Sequence, residues 1–165
     1  MTKVELLRQL KQFTEEAVGE LLLPVRMQKD DAEQPAPRPA TVYLMRLPDS
    51  AVAAKKAPYI IHQAITGSDS QSEGQRIQCV TAVRSIFCVY SDNEQDGGML
   101  LLDLMERVRI ALLRQVVIGR QFELDLQNSF EQLIYPDDTA PYYAGEMMSN
   151  WKMPAVEREV AKWLR

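Results

Sequence analysis

Hydrophobic positions along this chain recur with two different periods, and the stretch from Arg76 to Arg114 contains both. From Arg76 to Tyr90, Ile77, Cys79, Val83, Phe87 and Val89 are separated by multiples of two, the spacing that places side chains on one face of a pleated strand. The cluster Ser91-Asp92-Asn93-Glu94-Gln95-Asp96-Gly97-Gly98 is short, polar and glycine-bearing, so it ends the strand and offers Asp96 as a helix cap. From Met99 the period lengthens. Leu101, Leu104, Met105, Val108, Ala111 and Leu112 follow the i, i+3, i+4, i+7 rule, while Asp103, Glu106, Arg107 and Arg114 fall elsewhere on the wheel. This predicts an amphipathic helix lying across a sheet.

The flanking sequence extends that scaffold. Thr2-Lys3-Val4-Glu5 has the form of a capping box, followed by an apolar stripe of Leu6, Leu10, Phe13, Ala17 and Leu21 that Pro24 ends by Leu23. Residues 29–39 are polar and proline-rich, the composition of an exposed loop. Thr41 to Leu47 is apolar at both parities, as in a strand covered on both faces. Tyr59 to Thr66 predicts a further strand, joined to the one beginning at Arg76 by a flexible hairpin tip over residues 67–74. Phe122, Leu124 and Leu126 alternate with polar residues as in a half-buried strand, and Phe130 to Tyr135 fits either a strand or a short helical turn. From Tyr142 to Met153, Tyr143, Met147 and Trp151 share one parity of an extended segment. Pro154 then opens a short terminal helix with Val156, Val160, Trp163 and Leu164 on its inner side. The elements together predict an α/β (α+β) fold in a single domain, residues 1–165. Its one sheet, mixed or mainly antiparallel, is flanked by an N-terminal helix, a central helix and a short C-terminal helix.

Composition narrows the functional classes. With 165 residues, 46% hydrophobic and 25% charged, the chain can bury an ordinary core without staples. A net charge of -4 argues against non-specific nucleic-acid binding, which runs on clustered Lys and Arg. No apolar run approaches the roughly 20 residues that span a bilayer, and residues 1–23 carry four glutamates where a signal peptide would carry none, so a cytosolic site or a cytosolic pool is expected. Cys79 and Cys88 stand nine positions apart on one strand, hence on opposite faces, and cannot pair within it.

Candidate chemistry is sparse. His62 is the lone histidine, so any Ser-His-Asp or Cys-His arrangement would have to use it; no motif surrounds it, and a structural role is expected. Phosphate-cradling glycine motifs and nucleophile elbows are absent from the sequence. Asp92-x-Glu94-x-Asp96-Gly97 with Asp103 eleven positions after Asp92 has the spacing of a calcium loop. It departs with Glu94 at the third position, an aspartate at the twelfth and a preceding strand, and a polar strand-to-helix turn explains it equally. Asp137 and Asp138 follow Pro136 as ordinary turn residues. No catalytic, cofactor-binding or metal-binding residue is therefore assigned.

The order of features nonetheless has a likeness. The run Val89-Tyr90-Ser91-Asp92-Asn93, then Asp96-Gly97 and Leu102-x-Leu104-Met105-Glu106-Arg107-Val108-Arg109, and the late Tyr142-Tyr143-Ala144-Gly145-Glu146 with Trp151-Lys152-Met153-Pro154 resemble tail terminator proteins of tailed bacteriophages and prophages. These are also called tail completion or head-tail joining proteins, and the resemblance covers roughly residues 57 to 160. It implies a non-enzymatic structural part of the virion tail, assembled in the host cytoplasm. Such a part forms a ring, commonly a hexamer, that caps the tail tube, ends its polymerisation and faces the head connector. The implied partners are further copies of the chain, the tail tube protein and head-tail connector proteins, with no cofactor, nucleic acid or membrane. The alternatives are a head-completion or neck protein, or a small enzyme built around His62 and the Asp137-Asp138 loop.

Overall fold

The computed structural model describes residues 2–48, 56–136 and 139–156. In chain order the elements are α1 (Lys3–Val18), β1 (Thr41–Leu44), β2 (Tyr59–Ser70), β3 (Gln78–Tyr90), α2 (Glu94–Gln115), β4 (Val117–Ile118), β5 (Phe122–Leu124), β6 (Glu131–Ile134) and β7 (Tyr142–Met153). The strands form one mixed sheet in the order β1-β2-β3-β7-β5-β4, with β6 beside β5 on the same edge of β7. Among the described strands only β1 and β2 run parallel; every other pair is antiparallel. This is an α+β fold with the N-terminal and central helices expected from the sequence.

Both helices lie on one face of the sheet, and alternation explains why. In β3 the residues Val83, Phe87 and Val89 are buried toward the helices, and in β7 Met147 and Trp151 are buried beside them. From α1 come Leu6, Leu7 and Leu10, and from α2 Leu101, Leu104, Met105, Val108 and Leu112, all in the same core. Gly145, opposite Phe87, makes room for this packing: a Cβ there would come within 2.8 Å of the Leu133 carbonyl and 3.0 Å of Met105 Sδ.

Several boundaries differ from the expected ones, each for a local reason. β2 continues through Ser70, because Gly67, Ser68, Asp69 and Ser70 keep ladder partners Thr81, Val80, Cys79 and Gln78 whatever their polarity, so the hairpin tip is residues 71–77. A register shift between Ala64 and Thr66 puts a bulge at Ile65, which lets so long a strand bend. β1 stops at Leu44, where Met45 takes a positive φ of 65°. α1 ends at Val18 with Gly19 as its C-cap, and Leu23 pairs instead with Arg38 in an isolated antiparallel bridge. Arg38 also donates to the carbonyls of Pro39, Lys56 and Pro58 and to Thr41 Oγ1, holding the proline-rich loop to the start of β1 and β2.

α2 begins at Glu94, and Asn93 rather than Asp96 is its cap, accepting from the Gln95 N–H at 2.9 Å. Gly97 and Gly98 thus lie inside the helix. β5 ends before Leu126 because the Asp125 carboxylate accepts from the Gln127 N–H and Asn128 Nδ2, turning the chain. The ambiguous stretch after Phe130 is the strand β6. Asp137 and Asp138 lie outside the described residues; of the expected terminal helix, Pro154, Ala155 and Val156 are described and are coil, and the remainder lies outside.

The outermost strands are β1 on one side and β4 on the other, with β6 a second free edge beside β5, and the β1 and β6 edges differ. Thr41 and Met45 donate backbone N–H groups to Pro58 and His62, so by alternation the main chain of Val42 points away from β2; yet Val42 is only 1% exposed, and this edge is covered. At β6, Tyr135 N–H bonds to Ala144, so the main chain of Gln132 and Ile134 points outward, and here Leu133 is 53% and Ile134 43% exposed.

Candidate functional site

His62 on β2 faces the helices at 1% exposure. Its Nε2 lies 2.9 Å from Thr14 Oγ1 on α1 and its Nδ1 lies 2.7 Å from Ser85 Oγ on β3. Both ring nitrogens are thereby occupied. Burial without a counter-charge pushes the imidazole pKa down to about 3, so the ring is neutral at ordinary pH. A neutral, enclosed imidazole whose two nitrogens already hold hydroxyls has no free position for a substrate proton; it ties three elements together. The expected structural role fits this geometry.

The aspartates after β3 do not converge as a calcium loop would require. Asp96 Oδ2 accepts from Asn93 Nδ2 at 2.8 Å, and Asp103, on the exposed side of α2, pairs with Arg107 at 3.5 Å. Among the described residues no group of three His, Cys, Asp or Glu side chains is placed to hold a metal ion. These aspartates instead rim an open groove of about 490 Å³ whose apolar part is Pro24, Met99 and Leu100.

Cys79 and Cys88 are both buried and free, on opposite faces as their spacing requires. Burial pushes the Cys88 thiol up to about 11, so it is held as the unreactive thiol.

The helix-free face of the sheet is the most distinctive surface. Register sets Tyr43, Ile61, Ile86, Glu146 and Leu133 in one row across five strands. A neighbouring row holds Tyr59, Cys88, Ala144 and Tyr135, and the next holds Tyr90 with Tyr142. Five of the six tyrosines therefore share this face. Tyr90 and Tyr142 rings lie 5.8 Å apart, and Arg26 reaches Tyr142 through a 3.0 Å hydrogen bond and by stacking over its ring. On the same face Arg84 makes two hydrogen bonds to Gln63 Oε1, and Tyr135 donates to Glu146. Desolvation raises the Tyr59 and Tyr135 pKa values, so these phenols stay protonated. Each tyrosine was visible in the sequence; the cross-strand register that gathers them was not.

At the far end of the sheet, Lys152 joins Glu123 across the β5–β7 pair at 2.9 Å and approaches buried Asp125 at 3.9 Å. No helix of the described residues is long and apolar enough to cross a membrane. No protein-family model matches the chain, and no curated protein matches it.

Proposed function

We propose that this chain is a structural assembly protein of a tailed bacteriophage or prophage, a tail terminator without enzymatic activity. Copies of it form a ring, a hexamer by the resemblance, at the end of the tail tube. There the ring stops tube growth and presents a surface to the head connector. It would be built in the host cytoplasm and reside in the virion tail.

The observation that carries the reading is the helix-free sheet face. A rigid sheet stabilised from one side carries, on the other, five half-buried tyrosines with Met148, Ile86 and Arg84. Tyr, Met and Arg are the residue types enriched where protein surfaces meet. A catalyst needs a concave site with unoccupied acid-base groups, whereas the histidine here is consumed in packing.

The test adds purified protein to polymerising tail tubes and reads tube lengths and end structures by electron microscopy. Intact protein should give capped tubes of defined length. Arg84→Glu combined with Met148→Asp should leave tubes uncapped while the unfolding temperature stays near the parent's. Tubes that grow without limit in the presence of intact protein, with no ring at their ends, would sink the terminator reading.

A further inference from the structure

We propose that β6 of one copy pairs antiparallel with the outer half of β2 in a second copy, so that one sheet runs on from copy to copy. β1 covers β2 only as far as His62, and Thr66 to Ser70 are exposed beyond it. The Ser91 N–H bonds to Pro141 in line with the β3–β7 ladder, so by alternation the odd-numbered residues of β3 bond to β7 and the even-numbered ones to β2. Their partners Thr66, Ser68 and Ser70 therefore face β3, and the main chains of Gly67 and Asp69 point outward. At β6 those of Gln132 and Ile134 point outward in the same way. Among the described residues these four outward positions make no main-chain hydrogen bond. Unpaired groups along an exposed strand are a template for another strand.

Direction, face and register all agree with this pairing. The antiparallel pairings β2–β3, β3–β7 and β7–β6 lie between the two strands, so β2 and β6 run antiparallel, and a copy related by rotation about an axis along the strands brings them together antiparallel. Register places Gly67, Asp69, Gln132 and Ile134 all on the helix-bearing face, so the helices of both copies stay on one side. One register uses all four: Gly67 opposite Ile134 and Asp69 opposite Gln132, each pair exchanging two hydrogen bonds. The Lys3 side chain lies over Gly67 and sets its methylene stem against Ile134. On the other face Ser68 meets Leu133, and the Ser70 hydroxyl meets the Glu131 carboxylate, so no like charges stand opposite one another. This register displaces the second copy along the strands by six positions, the separation of Gly145, level with Ile134, from Trp151, level with Gly67. Its β1 then falls past the end of β6, and its hairpin tip comes level with β5. Two different edges meet, so the contact is head-to-tail, the type that closes into rings. The inference deepens the ring reading by naming the contact, and it rests on that reading for the ring itself.

Sedimentation of intact protein, Ile134→Pro, Asp69→Pro and an equimolar mixture of the two variants tests it. Each proline removes one outward N–H from an edge and spares the ladder behind it. The intact protein should associate with rising concentration, and each variant alone should associate at least tenfold more weakly. The mixture should form a dimer and nothing larger, because one working β6 and one working β2 edge remain per pair. Hydrogen exchange of the intact protein gives a second reading that needs no variant. The amides of Gly67, Asp69, Gln132 and Ile134 should exchange fast when dilute and slow on association. Association that leaves them fast, or an intact protein monomeric at every concentration, would overturn the contact. So would Asp69→Pro associating as the parent does while Ile134→Pro does not, the signature of β6 pairing with β6. If both variants cap tubes normally, the contact falls and the terminator reading stands. If intact protein associates as described yet never caps a tube, the contact stands and the terminator reading falls.

Discussion

His62 Nε2 and Thr14 Oγ1 lie 2.9 Å apart across 48 positions of sequence, and this contact fastens α1 to the middle of the sheet. Ser85 holds the other ring nitrogen, so the three side chains satisfy one another in a place where an unpaired polar group would be costly.

This arrangement has a pH signature. The folded imidazole titrates at about 3 and the unfolded one near 6.5, so between those values the unfolded chain holds a proton that the native state lacks. His62 thus stabilises fully above pH 6.5, and its contribution declines by about 1.4 kcal/mol for each pH unit below that. Urea unfolding of intact protein and His62→Gln at pH 7, 5.5 and 4.5 reads this directly. The stability advantage of the intact chain should shrink as the pH falls; an advantage constant across the series would mean that His62 titrates alike in both states.

The α2 core makes a second prediction. Leu104 is fully buried and Leu112 nearly so. Leu104→Ala should destabilise by about 2 to 5 kcal/mol, and Leu112→Ala by an amount toward the lower end. A loss below about 0.5 kcal/mol in urea unfolding would place the stripe in solvent.

Gly97 packs directly against Tyr143: a Cβ on Gly97 would overlap the Tyr143 ring. Gly97→Ala should therefore destabilise by roughly 1 to 3 kcal/mol, as overpacking does, although alanine is the better helix former. Tyr143→Leu in the same chain should recover most of the loss. The Tyr143 hydroxyl is buried without a partner among the described residues, so Tyr143→Phe should be neutral or stabilising in thermal unfolding.

The tip of the β2–β3 hairpin gives a test of the terminator reading that leaves the fold intact. Its paired residues reach Ser70 and Gln78, so removing residues 72–74 spares the ladder. Thermal unfolding should stay within a few degrees of the parent, while tube capping should weaken if the tip touches a neighbour or the tube. Normal caps on tubes of normal length would exclude the tip from assembly.

Much of this architecture was legible because local periodicity and burial agree. The alternation of Val83, Phe87 and Val89 marked the core face of β3, and Leu101 to Leu112 marked α2, since burial on one face is what produces each period. What escaped depends on partners distant in sequence. Gly97 looked like a turn residue because its reason, the Tyr143 ring, lies 46 positions away. Asp96 and Asn93 are both competent caps, and only the backbone path selected Asn93. Gly67 to Ser70 lack any strand pattern, and their ladder with β3 carries them. The tyrosines of the helix-free face belong to five separate stretches and meet only through strand register.

The unequal edges of the sheet limit how copies can join through main-chain pairing. β6 offers outward N–H and C=O groups beside exposed Leu133 and Ile134, with no proline or lysine in the strand to discourage a partner. The β1 edge, where Val42 is covered, offers none. Two β6 edges can meet antiparallel around a twofold axis, which joins a pair of copies through a single two-sided contact; an assembly that uses β6 in this way has to draw its next contact from a different surface.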